Sequence, residues 1–260
     1  MKKQFIATIK QNIQIAEGIY DMRISCPDEL LSCTPGQFVA VYTGDSSMLL
    51  PRPISICEID LFSKELRLVY RALGQGTKCL ANKHADEKIR FLAPLGNGFS
   101  IGPDQNQNIA IVGGGIGVPP MLQLAKTIRA INSKAIINMY LGFRESSQII
   151  LDKDFAAYAD TIKITTDNGS FGEKGNPIQS LEGKAFDVVY GCGPHVMLKN
   201  LAKWSAKANI PCFISLEERM ACCIGACLAC VCKKNNNGLI THEKVCDAGP
   251  VFNAKELVLE

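Results

Sequence analysis

"NIAIVGGGIGVPPMLQLAKTIRAIN", Asn108–Asn132, changes texture twice. A short apolar run gives way to glycines between Gly113 and Gly117, and helical spacing of apolar residues follows. Pro119 and Pro120 fall in the first turn of that helix, where a missing N–H breaks no intrahelical bond. Strand, glycine turn and helix in this order open an α/β domain, with backbone N–H groups able to face a phosphate. The glycines do not fit G-x-G-x-x-G: counted from Gly113 and Gly115, the third position is Val118. No acidic residue ends the next strand, which runs into Gly142. Two readings stay open, an anion cradle and a turn that lets strand and helix pack closely.

Downstream, "AIINMYLGF", "TIKITTD" and "FDVVYGCGP" are apolar runs suited to buried parallel strands, and "VMLKNLAKWSAKA" is helical. The alternation predicts a doubly wound α/β domain over residues 103–210. Upstream, past the polar linker "GPDQNQ", come "FIATIKQNIQIA", "IYDMRIS", "GQFVAVYT", "PISICEID", "ELRLVYRA" and "EKIRFLAP". These short β-rich runs separated by turns predict an antiparallel barrel over residues 1–102, interrupted by a helical turn at "LGQGTKCLAN". Residues 211–260 have neither rhythm; they form a small, cysteine-dense third domain.

Composition bounds the function. Hydrophobic residues make up 47% and charged residues 20%, enough for real cores. Lys+Arg 28 against Asp+Glu 25 gives +3, too balanced for a nucleic-acid footprint. "MKKQFIATIKQNIQIAEGIY" has no unbroken apolar core of a signal peptide, and no run is long enough to span a bilayer. The expectation is a soluble, cytoplasmic protein. In that reducing compartment its 12 cysteines are more suited to metal or redox work than to disulfides.

Three further stretches bear on the glycine turn. "RPISI", Arg52–Ile56, offers a guanidinium beside a small hydroxyl, and "GQGT", Gly74–Thr77, a second anion cradle. "YGCGPHVML" sets Cys192 between glycines at the end of a parallel strand, where open α/β sheets bind ligands. In this order, over residues from about 5 to 210, they resemble the ferredoxin–NAD(P) reductase family. The resemblance implies FAD on the barrel, with "RPIS" (Arg52, Pro53, Ile54, Ser55) and "GQGT" (Gly76, Thr77) as flavin motifs. Arg52 and Thr77 would lie near the pyrophosphate and Ser55 near the isoalloxazine, with Val69, Tyr70 and Arg71 lining the remainder. Gly113, Gly114, Gly115 and Gly117 would lie under a nicotinamide nucleotide, and Cys192 would stand by its nicotinamide ring, where hydride passes.

"RMACCIGACLACVCKK", Arg219–Lys234, and "HEKVCDAGP" supply the rest. Cys222, Cys227 and Cys230 read C-x4-C-x2-C, with Cys246 at a distance; this is the plant-type [2Fe–2S] spacing. Gly225, Ala226 and Ala229 are small enough to let N–H groups approach the sulfurs. Zinc on Cys227, Cys230, His242 and Cys246 is the alternative. With "SLEERMACCIGACLACVCK" and "VCDAGPVF" the whole chain resembles the electron-transfer subunits of dihydroorotate dehydrogenase B. The resemblance carries the cluster ligands to Cys222, Cys227, Cys230 and Cys246. It also marks a departure: glycine is usual where this chain has Cys223, so Cys223, like Cys232, is a spare thiol.

The function so implied is electron transfer in pyrimidine biosynthesis. Electrons would pass from the FMN of a catalytic partner subunit through the [2Fe–2S] cluster and FAD to NAD+. The partner's dihydroorotate site belongs on a (β/α)8 barrel of ~250 residues, which this chain has no length left to form. Two copies of each subunit would make a heterotetramer. NAD rather than NADP is implied by the resemblance, since Arg144 after the second α/β strand reads as a surface charge. Rival readings are a reductase subunit of a sulfide dehydrogenase, hydrogenase or transhydrogenase complex, and a zinc-holding regulatory module.

Overall fold

The computed structural model describes residues 2–102, 107–236 and 238–259. Strands β1 (Lys3–Ala16), β2 (Ile19–Ser25), β3 (Phe38–Tyr42), β4 (Arg52–Asp60), β5 (Glu65–Arg71) and β6 (Lys88–Leu95) close an antiparallel barrel in the order β1-β2-β5-β4-β3-β6. Helix α1 (Gln75–Ala81) follows β5. Period-two alternation decides which way each strand faces. On β5, Leu66, Leu68 and Tyr70 join Ile9, Met22, Ile24, Val41 and Phe91 in the barrel core. Val69 points the other way, into a second core. On β4 the register shifts between Ile56 and Glu58, and Cys57 turns out of the barrel to join Val69.

Beyond the barrel come β7 (Asn108–Gly114), α2 (Pro119–Ile131), β8 (Ile136–Phe143), β9 (Thr161–Thr166), β10 (Glu173–Lys174), β11 (Val188–Cys192), α3 (His195–Ala208) and β12 (Cys212–Ser215). The last segment adds a hairpin, β13 (Val231–Asn236) with β14 (Leu239–Lys244), and a short β15 (Val251–Asn253). The main sheet has the order β10-β9-β8-β7-β11-β12-β15, parallel except where β15 runs antiparallel to β12. Both faces are covered, which is why β7 reads as a continuous apolar run. Its Ile109 and Ile111 pack with Met121, Leu124 and Ile128 of α2, while Ala110 and Val112 pack with Leu198 and Leu201 of α3. The strand, turn and helix of Asn108–Asn132 are there, with the two prolines at the helix start. Between β8 and β9, however, the chain makes only short 3-10 turns at Ser146–Gln148 and Asp154–Ala157. The sheet also takes in β12 and β15, which lie past residue 210, where the sequence begins a third domain. The polar linker expected at 102–107 lies, for residues 103–106, outside the described residues.

Barrel and sheet share one core: Ile19, Cys57, Val69 and Phe99 pack with the α2 face. Beside it Arg67 on β5 is enclosed by carboxylates. It holds Asp21 through Nε at 3.0 Å and Nη2 at 2.9 Å, reaches Glu58 at 3.5 Å, and bonds Asp154 across the domain boundary. Lys126 of α2 completes the network on Glu58 at 2.8 Å. A buried network of this kind contributes little net stability when whole, but removing one member strands the others' charges at a cost of about 3–5 kcal/mol. Its effect here is to fix how the nucleotide domain sits on the barrel. No helix among the described residues is long and apolar enough to cross a membrane.

Candidate functional site

At the barrel's contact with the sheet lies a cavity of about 410 Å³. Pro53, Ile54 and Ser55 of β4, Val69, Tyr70 and Arg71 of β5, and Thr77 of α1 form one wall. Ile116, Cys192 and the segment Ser215–Glu218 with Met220 form the other. It continues through Pro53, Arg71, Leu73 and Thr77 into a second cavity of about 720 Å³, lined also by Arg52, Gly74, Gln75, Gly76 and Arg219. An apolar chamber leading to three guanidinium groups suits a flat aromatic ring joined to a pyrophosphate. The dimensions and chemistry fit FAD.

Local bonds explain why these residue types stand here. A Cβ on Gly76 would lie 2.0 Å from Arg52 Nε, so glycine leaves the guanidinium room against the turn. Arg52 Nη1 also donates to Leu50 O at 2.7 Å, which aims the fork. Thr77 Oγ1 accepts from the N–H groups of Leu73 at 3.0 Å and Gly74 at 3.2 Å, tying the turn to the helix start. Tyr70 OH donates to Asn12 Oδ1 at 3.1 Å, and Asn12 Nδ2 donates to Leu80 O at 2.9 Å and Lys83 O at 2.8 Å. Asn12 thereby joins β1, β5 and the end of α1.

The glycine turn sorts its members. A Cβ on Gly114 would meet Met197 Sδ at 2.6 Å, and one on Gly117 would meet the Cys192 backbone at 2.5 Å. Gly113 faces Val118 at 3.0 Å. These three serve packing, Gly113 against the start of α2 and β8, Gly114 against α3, and Gly117 against the end of β11. Gly115 differs: its φ is +52°, and nothing lies within 4 Å of its Cβ position. Of the four, Gly115 is the one whose backbone is open to a ligand. Cys192 is buried at the end of β11 yet reaches the cavity wall. Burial pushes its thiol far up, helped by Glu217, with a Ser215 hydrogen bond opposing. It stays protonated and can act as a neutral wall, not as a nucleophile.

Sequence reasoning missed Glu217 and Arg219, because their place in the cavity depends on the return of a segment distant in sequence. Crowding by protein raises the Glu217 carboxyl above its ordinary range, and Arg71 pulls it back.

The cysteine segment has no helix or strand between residues 216 and 230. Its four candidate ligands fall into two pairs. Cys227 N–H donates to Cys222 Sγ at 3.3 Å, and Cys246 N–H donates to Cys230 Sγ at 3.4 Å. Burial raises the Cys222 thiol, but bonds from the N–H groups of Ile224, Ala226 and Cys227 outweigh it and bring it down to about 6. Burial and Cys230 push Cys246 up to about 12, against a bond from Gly225 N–H. Two thiol pairs with N–H groups turned toward them suit a two-iron cluster, which takes two thiolates on each iron. Among the described residues no three His, Cys, Asp or Glu side chains gather for a single ion. His242, the partner a zinc site would need, is exposed on β14 opposite Lys233. Cys223 is buried and held at φ +61°, a conformation that favours glycine. Cys232 lies on β13, partly buried.

Residues 217–258 match the iron–sulfur cluster binding domain of dihydroorotate dehydrogenase B. A relative from Geobacillus sp. (strain WCH70), the electron transfer subunit of dihydroorotate dehydrogenase B (NAD(+)), is 41% identical, with 100% of both chains covered. The chain belongs to the dihydroorotate dehydrogenase B electron transfer subunits. A second member of that family, from Clostridium perfringens (strain 13 / Type A), is 37% identical over 97% of each chain. Among solved structures, that of the NADH-dependent reduced ferredoxin–NADP oxidoreductase superposes with a TM-score of 0.86 at 26% identity, covering 97% of this chain and 90% of that one. A ferredoxin NADP+ reductase from Neisseria gonorrhoeae with bound FAD and NADP shares the fold at a TM-score of 0.66 and 16% identity, over 79% of this chain and 91% of that one. In this member of the electron transfer subunits, the matched cluster domain begins at Glu217, inside the cavity wall.

Proposed function

We propose that the chain carries electrons from a partner subunit, in which dihydroorotate reduces FMN, to NAD+ in the making of pyrimidines. The observation that carries this reading is the double use of one segment. Leu216–Glu218, Met220 and Pro250 line the flavin-sized cavity, and the same strands of chain bear Cys222 and Cys246 within a few residues. One wall therefore belongs to both redox sites. Bound FAD supplies the exchange between hydride and single-electron transfer, and a [2Fe–2S] cluster supplies single-electron transfer alone.

The chain's own residues do the holding. Arg52, Arg71 and Arg219 take the pyrophosphate charge, with Gly76 making space and Thr77 stiffening the turn. Pro53, Ile54, Ser55, Val69 and Tyr70 enclose the ring system. Gly115 gives the nicotinamide nucleotide an open backbone, while Gly113, Gly114 and Gly117 let α2, α3 and the end of β11 pack closely on the turn. Cys192, neutral and buried, shuts water from the nicotinamide side. Cys222, Cys227, Cys230 and Cys246 hold the cluster. The acceptor is NAD+, the partner is the FMN-containing catalytic subunit, and the assembly holds two of each chain. The 12 cysteines, all unpaired, suit the cytoplasm.

Purified protein should show flavin and iron–sulfur absorbance that NADH bleaches. Joined to its catalytic subunit, it should reduce NAD+ when dihydroorotate is added. A colourless protein would defeat the cofactor reading; a bleachable protein inert toward dihydroorotate in the complex would defeat the choice of partner.

A further inference from the structure

Two lysines far apart in sequence meet at the cluster loop. Lys2 Nζ donates to Ile224 O at 3.2 Å and pairs with Asp247 Oδ1 at 2.8 Å. Lys244 Nζ donates to Gly225 O at 2.7 Å. The two carbonyls belong to consecutive peptide groups. The plane that carries Ile224 C=O also carries Gly225 N–H, and the next joins Gly225 C=O to Ala226 N–H. Both peptides lie in the loop between Cys222 and Cys227, whose backbone turns toward sulfur: Cys227 N–H donates to Cys222 Sγ at 3.3 Å. Each ammonium thus holds a carbonyl of the loop that carries two of the candidate ligands.

A close approach keeps the two planes in place. Gly225 has φ +84°, and a Cβ there would lie 2.9 Å from Asp247 Cγ. The missing side chain lets Asp247 sit against the loop while it anchors Lys2. A cation bound to a carbonyl polarises its peptide and strengthens the N–H bond on the far side. Reduction of a two-iron cluster adds one negative charge, and both the N–H bonds and the nearby cations favour that charge.

We propose that Lys2 and Lys244 set the reduction potential of the cluster, each placing its charge on one peptide of the loop that carries the ligands. They are positioning residues, and the inference rests on the ligand set proposed above. Lys244, partly buried, has the larger effect. Lys2 has a side chain 39% exposed and shares its charge with Asp247.

The test uses the complete complex with its catalytic subunit and compares wild type with Lys244→Met, Lys244→Arg and Lys2→Met. Iron and sulfide content, EPR of the reduced cluster and a redox titration followed by visible circular dichroism are read for each. Lys244→Met should keep its iron and lower the midpoint, shifting the one-electron equilibrium about three- to tenfold, where tenfold is about 59 mV. Lys2→Met should shift it the same way by less, and Lys244→Arg should restore most of the wild-type value. Lys64→Met, which removes only an exposed pair with Asp28 on the barrel, should change nothing. A full cluster at unchanged potential in Lys244→Met overturns the proposal. Should that variant lose its iron, Lys244→Gln and Lys2→Met decide, and loss of iron in all three would show that the lysines only hold the loop, which also overturns it. Absence of iron from the wild-type protein is a different result: it would refute the ligand set.

Discussion

The flavin-sized cavity takes one wall from β4 and β5, strands packed into hydrophobic cores, whereas the cysteine loop between residues 216 and 230, which lends the other wall its start, has no helix or strand at all. Val69, Tyr70 and Arg71 are placed by the alternation of β5, so their geometry is paid for by the core. Cys222 and Cys227 are placed by N–H groups turned toward sulfur and by two lysines on carbonyls. The first site is preorganised by packing; the second is organised around the group it is to hold. Damage to the two should therefore spread differently.

The largest effect is expected from Cys222→Ser. Iron, sulfide and the EPR signal should be lost, and with them NAD+ reduction driven by dihydroorotate in the complex. Reduction of FAD by NADH should persist, because the wall formed by β4, β5 and α1 stands without the cluster. Loss of both activities would break the contrast.

Arg67→Ala should follow. It leaves Asp21, Glu58 and Asp154 without their shared cation, and the cost is about 3–5 kcal/mol in urea unfolding. Because that network ties the two domains, NADH-to-FAD transfer should slow in the surviving fold while the cluster spectrum stays normal.

Arg52→Ala acts more locally. Loss of a charged, two-pronged contact should weaken FAD binding about ten- to a hundredfold, from about 1.5–3 kcal/mol. Flavin content after dialysis measures it, and the cluster should remain.

The smallest change is Cys223→Gly. Glycine relieves a left-handed backbone that costs other residues about 1–2 kcal/mol, while the buried thiol's packing is lost. The two nearly cancel, so thermal unfolding, cluster content and turnover should stay close to wild type. A lost cluster would make Cys223 a ligand and redraw the loop.

Much of the architecture was legible because local signals carry it. Short β-rich runs bounded by turns mark the barrel strands, and the prolines at 119 and 120 mark the start of α2. The helices expected between strands were less so: after β8 the chain crosses in 3-10 turns too short to have a period. The glycine turn was recognisable as a turn, but the separate duties of Gly114, Gly115 and Gly117 depend on what Met197 and Cys192 bring against them. Nothing in "ELRLVYR" marks Arg67 as buried; Asp21 and Glu58 from neighbouring strands and Asp154 from the second domain enclose it. Glu217, Arg219, Lys2 and Lys244 were hidden for the same reason, since each acts on residues that no spacing rule connects to it. The cysteine spacing needed no such help to be noticed, because C-x4-C-x2-C is contained in nine consecutive residues, Cys222 to Cys230.

Strand β15 has a consequence for anyone who would treat the protein as detachable parts. It pairs with β12 from the far side of the cysteine segment, with Phe252 opposite Ile214. A chain cut after Ser215 would lose the cysteines and also bare the hydrogen-bonding edge of β12, an invitation to pair with another molecule. Such a fragment should aggregate unless an outside strand is supplied to cover it. Transplanting the cysteine segment onto another reductase meets the reverse difficulty: the recipient sheet must offer a vacant edge at the place where β15 docks.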